Sequence, residues 1–154
     1  MLEWKVELLQ NVPLFRGLSE SQLYAIAEAG KKRFFESGET LVAEGEKGTV
    51  AFLIVSGKAA CPRFIGGERV IEDLWPGTLV GELAMLVETQ HSYTVTATER
   101  LRAIAITREA FRPVMERDLA LAQHIADNLL TRLGSLAKEL KKVDGWLANV
   151  EKAA

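Results

Sequence analysis

Five consecutive residues, Val80-Gly81-Glu82-Leu83-Ala84, have the make-up of an anion-binding turn. Gly81 has no Cβ, so its backbone can lie directly against a ligand. The residues after it read as the start of a short helix, where the first N–H groups lack partners within the helix and the dipole favours negative charge. A phosphate is the anion best matched to such a turn. Glu82 stands amid these donors and repels a phosphate unless its carboxylate is turned aside, for instance to cap the helix start.

Other chemistry is thinly supplied. The chain has two histidines, His91 and His124, and one cysteine, Cys61. No Cys/His pair or quartet has metal-ligand spacing, and no nucleophile, base and orienting group stand in a recognisable pattern. A non-enzyme with no metal and no obligatory cofactor is expected. Cys61 reads as a small apolar packing residue, and His124 as a surface position on a helix. The net charge of −2 means that any nucleic-acid role needs a local basic patch. The basic runs, Lys31-Lys32-Arg33 and Lys141-Lys142, read as solvated ends or faces of helices.

The 154 residues suffice for one domain with an unstapled core, and 48% hydrophobic with 26% charged residues is ordinary globular usage. With neither a signal peptide nor an 18-residue apolar run, a cytoplasmic protein without membrane association is expected.

The turn needs a scaffold, and the glycines mark it. Nine of the twelve glycines fall between Gly30 and Gly81, punctuating short apolar stretches in the rhythm of an all-β unit. Thr49 to Val55, Arg69 to Trp75, Tyr93 to Thr98 and Leu101 to Ile106 read as strands, with Gly66-Gly67 as a hairpin turn. Helical spacing of Leu2, Val6 and Leu9, and a capping box of Ser19 and Gln22 ahead of Leu23, Ile26 and Ala27, place two short helices before the β unit. After it, Thr107 starts a short helix that Pro113 kinks or ends.

From Asp118 a longer helix is predicted. Leu119, Ala122, Ala126, Leu129, Leu133, Leu136, Leu140, Val143, Leu147 and Val150 form a heptad seam. Over 119 to 150 such a helix is about 48 Å long, more than a domain of this size covers. The part past Leu136 is therefore expected to pair with a second copy as a parallel coiled coil, making a homodimer. Gly134 and Gly145 each weaken the helix by about 1 kcal/mol, so bending or fraying near Gly145 is compatible with it.

Residues 12 to 136 resemble the cyclic nucleotide-binding domain shared by bacterial catabolite-activator-type regulators, protein kinase A regulatory subunits and gated channels. The resemblance rests on Val12-Pro13-Leu14-Phe15, Leu18-Ser19, Gly38-Glu39, the glycines at 45, 48 and 57, and Pro76-Gly77-Thr78-Leu79-Val80-Gly81-Glu82-Leu83-Ala84-Met85-Leu86. The last run is similar to the family's phosphate-binding cassette. The resemblance implies a mainly β, α+β fold: a double-stranded β-helix or jelly-roll-like β-roll with N-terminal helices over 1–117, then a lid and dimerisation helix over 118–154. The implied ligand is cAMP or cGMP, with Gly81, Glu82, Leu83, Ala84 and Ser92 around phosphate and ribose. Glu82 would accept from the ribose 2′-hydroxyl. Ile71, Glu72 and Arg132 would lie towards the base, and Leu129, Leu133, Leu136, Leu140, Val143 and Leu147 along the dimer seam.

One position departs from the pattern. Where the family places an arginine that pairs with the cyclic phosphate, this chain has His91, about neutral at pH 7 with an ordinary pKa near 6.5. Losing a charged hydrogen-bonding pair costs roughly 1.5–3 kcal/mol, or about ten- to hundredfold in affinity. His91 is then a weaker phosphate ligand protonated by the bound anion, a group for a different small ligand, or a surface histidine in a domain without nucleotide. Arg69 or Arg132 are candidate substitutes. The expected function is a regulatory module acting on an unknown downstream protein; the alternative is a ligand-independent dimeric scaffold. Direct DNA binding is not expected, because the helix-turn-helix that family regulators append has no counterpart before Ala154.

Overall fold

The computed structural model describes residues 3–133, 145 and 147–153. It contains two compact units: residues 30–108, and residues 1–29 together with 109–154.

The first unit is an antiparallel β-roll. Its strands are β1 (Lys31–Phe35), β2 (Thr40–Val42), β3 (Lys47–Gly48), β4 (Val50–Ser56), β5 (Ala59–Ile65), β6 (Glu68–Leu74), β7 (Leu79–Val80), β8 (Thr89–Gln90), β9 (Val95–Ala97) and β10 (Leu101–Thr107). One sheet has the order β1-β10-β4-β7 and a second β2-β9-β5-β6, while β3 and β8 form a ribbon. Phe35, Phe52, Ile54, Leu101 and Ala103 of the first sheet and Val42, Ala59, Cys61, Val95 and Ala97 of the second share one buried cluster. Phe35 and Phe52 meet edge to face with centroids 5.2 Å apart, a favoured aromatic geometry. The hairpin turn lies at Gly66-Gly67, with Ile65 opposite Glu68.

The run Lys31-Lys32-Arg33 corrects one expectation. It forms the exposed edge strand β1, paired among the described residues only with β10, and is not the end of a helix. Phe35 anchors this strand in the core, and the Arg33 guanidinium lies 4.7 Å from the Phe35 ring centroid. A buried aromatic at one end and a ready partner in β10 outweigh a run of charges, because on an edge strand those charges stay in water.

The second unit holds α1 (Glu3–Gln10), α2 (Glu20–Ala29), α3 (Arg108–Arg117, from Glu109 on) and α4 (Leu119–Leu133). Ser19 and Gln22 form the capping box: the Ser19 N–H donates to Gln22 Oε1 at 2.8 Å and the Gln22 N–H to Ser19 Oγ at 3.2 Å. Pro113 lies inside α3 and does not end it. Phe111 and Met115, one turn apart around it, are both buried. Burying each contributes roughly 1.5–3 kcal/mol, enough to offset the roughly 3 kcal/mol cost of an internal proline. Asp118 caps α4, its Oδ1 accepting from the Leu121 N–H at 3.1 Å. The α4 face made by Leu121, Ala122, Ile125, Ala126 and Leu129 is fully buried. Asn128 fastens the helix to the short 3-10 turn Pro13–Phe15, its Nδ2 donating to the carbonyls of Leu14 at 3.0 Å and Arg16 at 2.8 Å.

Of the heptad seam, Leu129 is buried and Leu147 half-buried, and the side chains of Leu133, Leu136, Leu140 and Val143 lie outside the described residues. So do Lys141-Lys142, Gly134 and the span that would join α4 to residue 145. No described helix is long and apolar enough to cross a membrane.

Candidate functional site

Two strand pairings deliver the parts of the site. β7 lies against β4, with Val80 opposite Phe52, and carries the chain into Gly81. Gly81 adopts a left-handed conformation, φ 75° and ψ 36°, which favours glycine. Glu82–Met85 then forms a single 3-10 turn. The Ala84 N–H donates to the Gly81 carbonyl at 2.9 Å, so this amide is engaged inside the turn. Ala84, Met85 and Leu86 are buried and hold the turn down.

The second pairing, β3 with β8, sets Gly48 opposite Thr89 and leads into His91. The His91 backbone is held on both sides, its N–H donating to Glu46 at 2.9 Å and its carbonyl accepting from Gly45 at 2.8 Å. A Cβ on Gly48 would fall 2.7 Å from Ala84 Cβ and 3.0 Å from His91 Cε1. The same ring atom would be 3.3 Å from a Cβ on Gly81. The imidazole therefore packs on the bare backbone of two glycines, in contact with the cassette. Burial pushes its pKa below the ordinary histidine value, against a weaker opposing pull from Glu46. The side chain is neutral at pH 7 and supplies no fixed positive charge.

Beside the cassette is a concave pocket of about 610 Å³, lined by Glu44, Pro62, Arg63, Phe64, Ile65, Ser92, Tyr93 and Thr94. Of the residues expected around a phosphate, Ser92 lines it; Gly81 to Ala84 and His91 are not among the lining residues described. Tyr93 joins the two places. Its ring lines the pocket and its hydroxyl accepts the Gly81 N–H at 3.2 Å. Burial pushes the phenol above its ordinary pKa, with Glu82 adding to the effect, so it is neutral at any physiological pH.

Arg63 is the basic side chain among the lining residues. Its guanidinium lies 5.5 Å from the Tyr93 ring centroid, and its Nε donates to Glu72 Oε1 at 3.0 Å. That contact engages Glu72, placed on the base side from the sequence. Ile71 is exposed on β6, outside the lining set. The Arg132 side chain lies outside the described residues. Among the described residues no three His, Cys, Asp or Glu side chains converge as metal ligands.

Neither Tyr93 nor Arg63 was singled out from the sequence. Arg63 shares the parity of the buried residues Ala59 and Cys61 on β5, a period-2 signal that puts the arginine on their face of the strand, where it stays exposed. Tyr93 carried no comparable mark, since an aromatic residue at a strand entry is ordinary.

The structure is an antiparallel β-roll with a glycine-led turn beside a concave pocket. The sequence profile of the cyclic nucleotide-binding domain matches residues 32–118, and the chain belongs to that family. It is 30% identical over 134 residues to a cyclic AMP receptor protein of Thermus thermophilus, covering 86% of this chain and 62% of that one. It is also 34% identical over 111 residues to a cAMP-dependent protein kinase regulatory subunit of Mycosarcoma maydis, covering 68% of this chain and 21% of that one. The chain thus spans less than two thirds of either relative. Among solved structures, the Thermus thermophilus catabolite activator protein superposes with a TM-score of 0.67 at 29% identity, covering 84% of this chain and 62% of that one. The N-terminal domain of a transcriptional regulator from Streptomyces coelicolor A3(2) shares the fold, with a TM-score of 0.73 at 21% identity over 86% of this chain and 94% of that one.

Proposed function

We propose that this chain is a regulatory sensor domain that takes a cyclic nucleotide, cAMP or cGMP, with weakened affinity. The observation that carries the reading is His91: it stands where the family has its phosphate-binding arginine, and burial against Gly48 and Gly81 keeps it neutral. The cassette supplies the backbone part of the site and lacks the cation. On this reading Glu82 takes the ribose hydroxyl, Ser92 donates to a phosphate oxygen, and the base lies towards Ile71 and Glu72. A change in occupancy passes to α4 and from there to a partner protein, with a second copy joined through the seam past Leu136.

Calorimetry with cAMP and cGMP at pH 6 and pH 8 tests the reading. His91→Arg is expected to bind about ten- to hundredfold more tightly than the parent at pH 8. Parent affinity should improve only as pH falls below about 6.5, where an imidazole beside an anion begins to protonate. An arginine variant that stays without heat at millimolar ligand at both pH values favours the second reading, a ligand-independent dimeric scaffold. That alternative draws its support from the Gly81 amide, which already has a partner within the chain.

A further inference from the structure

The site's own side chain occupies the hydrogen bond that a ligand would need. The Gly81 N–H, at the left-handed residue that opens the cassette turn, already donates to the Tyr93 hydroxyl at 3.2 Å. Two features hold Tyr93 in place. Its ring packs against the buried cluster of the roll, and the Arg63 guanidinium covers the ring at 5.5 Å while tied to Glu72 at 3.0 Å. The ring also forms part of the wall between the cassette and the pocket lined by Arg63, Ser92 and Thr94. We infer that Tyr93 is an internal occupant of the cassette, its phenol oxygen standing where an oxygen of a ligand phosphate would sit. Tyr93 thereby sets which ligands the domain admits.

The consequence is selective. A ligand that requires the Gly81 amide must break the Tyr93 contact and move an aromatic ring out of the roll. A ligand satisfied by Ser92, Thr94 and Arg63 meets no such barrier. Tyr93 and His91 therefore act on the same site by different means: His91 withholds a cation, and Tyr93 withholds a donor and the space beside it.

The inference rests on the nucleotide-binding reading for its ligand but not for its first measurement. In the ligand-free protein, Tyr93→Phe keeps the ring and removes the acceptor, and hydrogen exchange of the Gly81 amide is expected to quicken roughly five- to tenfold. In calorimetry with cAMP and cGMP, His91→Arg/Tyr93→Ala is expected to bind about tenfold more tightly than His91→Arg alone. Tyr93→Val replaces the alanine if that variant unfolds, since a β-branched residue suits a strand entry. Unchanged exchange in Tyr93→Phe overturns the inference. So does a double variant that binds no more tightly than a binding-competent His91→Arg. Faster exchange in Tyr93→Phe with no binding by any variant refutes the nucleotide reading instead, while the sealing of Gly81 by Tyr93 stands.

Discussion

Gly48→Ala adds one methyl group at the point where β3, the cassette and His91 converge. The new Cβ would lie 2.7 Å from Ala84 Cβ and 3.0 and 3.1 Å from His91 Cε1 and Nε2. Carbon atoms in contact sit at about 3.5–4.0 Å, so roughly an ångström of overlap must be relieved. The surroundings give little, because Ala84 is buried and the His91 backbone is bonded on both sides. Overpacking of this kind costs typically about 1–3 kcal/mol. In a chain of this size that lowers the thermal midpoint by roughly 3–10 °C. Adding Ala84→Gly removes the closest contact, and the double variant should be more stable than the sum of the two single changes predicts. Gly145→Ala is the control: its Cβ meets nothing within 4 Å, and a helical alanine is favoured by about 1 kcal/mol. Thermal unfolding followed by circular dichroism measures the parent, Gly48→Ala, Ala84→Gly, their double variant and Gly145→Ala. A Gly48→Ala midpoint equal to that of the parent, or strict additivity with Ala84→Gly, would falsify the packing argument.

Asn128→Asp turns a donor to two carbonyls into an acceptor facing both, and should cost about 2–3 kcal/mol from two lost hydrogen bonds and the new repulsion. Urea unfolding measures it, and an unchanged midpoint would mean that the clamp on α4 carries no stability. Cys61 is fully buried and burial raises its thiol pKa, so a thiol reagent at pH 8 should label it only under unfolding conditions. Rapid labelling of the folded protein contradicts that. Burial lowers the His91 pKa, so below about 6.5 the unfolded chain binds a proton that the folded one refuses. Stability should therefore fall as pH drops from 6.5 through the lowered folded value, and His91→Asn should show a smaller fall than the parent over that range. Equal slopes would mean that the ring titrates as in water.

The features legible in the sequence are those written locally. A capping box spans four residues, a hairpin is announced by two adjacent glycines, and β4 and β10 carry runs of apolar and β-branched residues. The cassette belongs with these, since a glycine followed by a short helix start is a local arrangement. β1 escaped notice because its signal is one buried aromatic behind three charges, and only pairing with β10, about seventy residues later, makes a strand of it. The helix through Pro113 depends in the same way on buried neighbours at 111 and 115. The site split along this line. Gly81 is legible in its local run and His91 through the family resemblance, but the approach of Tyr93 to Gly81 and of Arg63 to Tyr93 depends on how segments twelve and thirty residues apart come together.

The pairing order of the roll also bears on how the chain is made. Lys31 pairs with Ala105, Thr40 with Thr96 and Lys47 with Gln90, so these three pairings are nested and the outermost comes last, while β4 and β5 cross the nest to pair with β10 and β9. During synthesis at about 5–20 residues per second, β1 waits several seconds for its only partner. An unpaired, Phe-containing strand is a hazard for that interval. Three consecutive cations at its start keep it hydrated and repel the same strand of a neighbouring nascent chain. The basic run thus serves the half-made protein as much as the finished one.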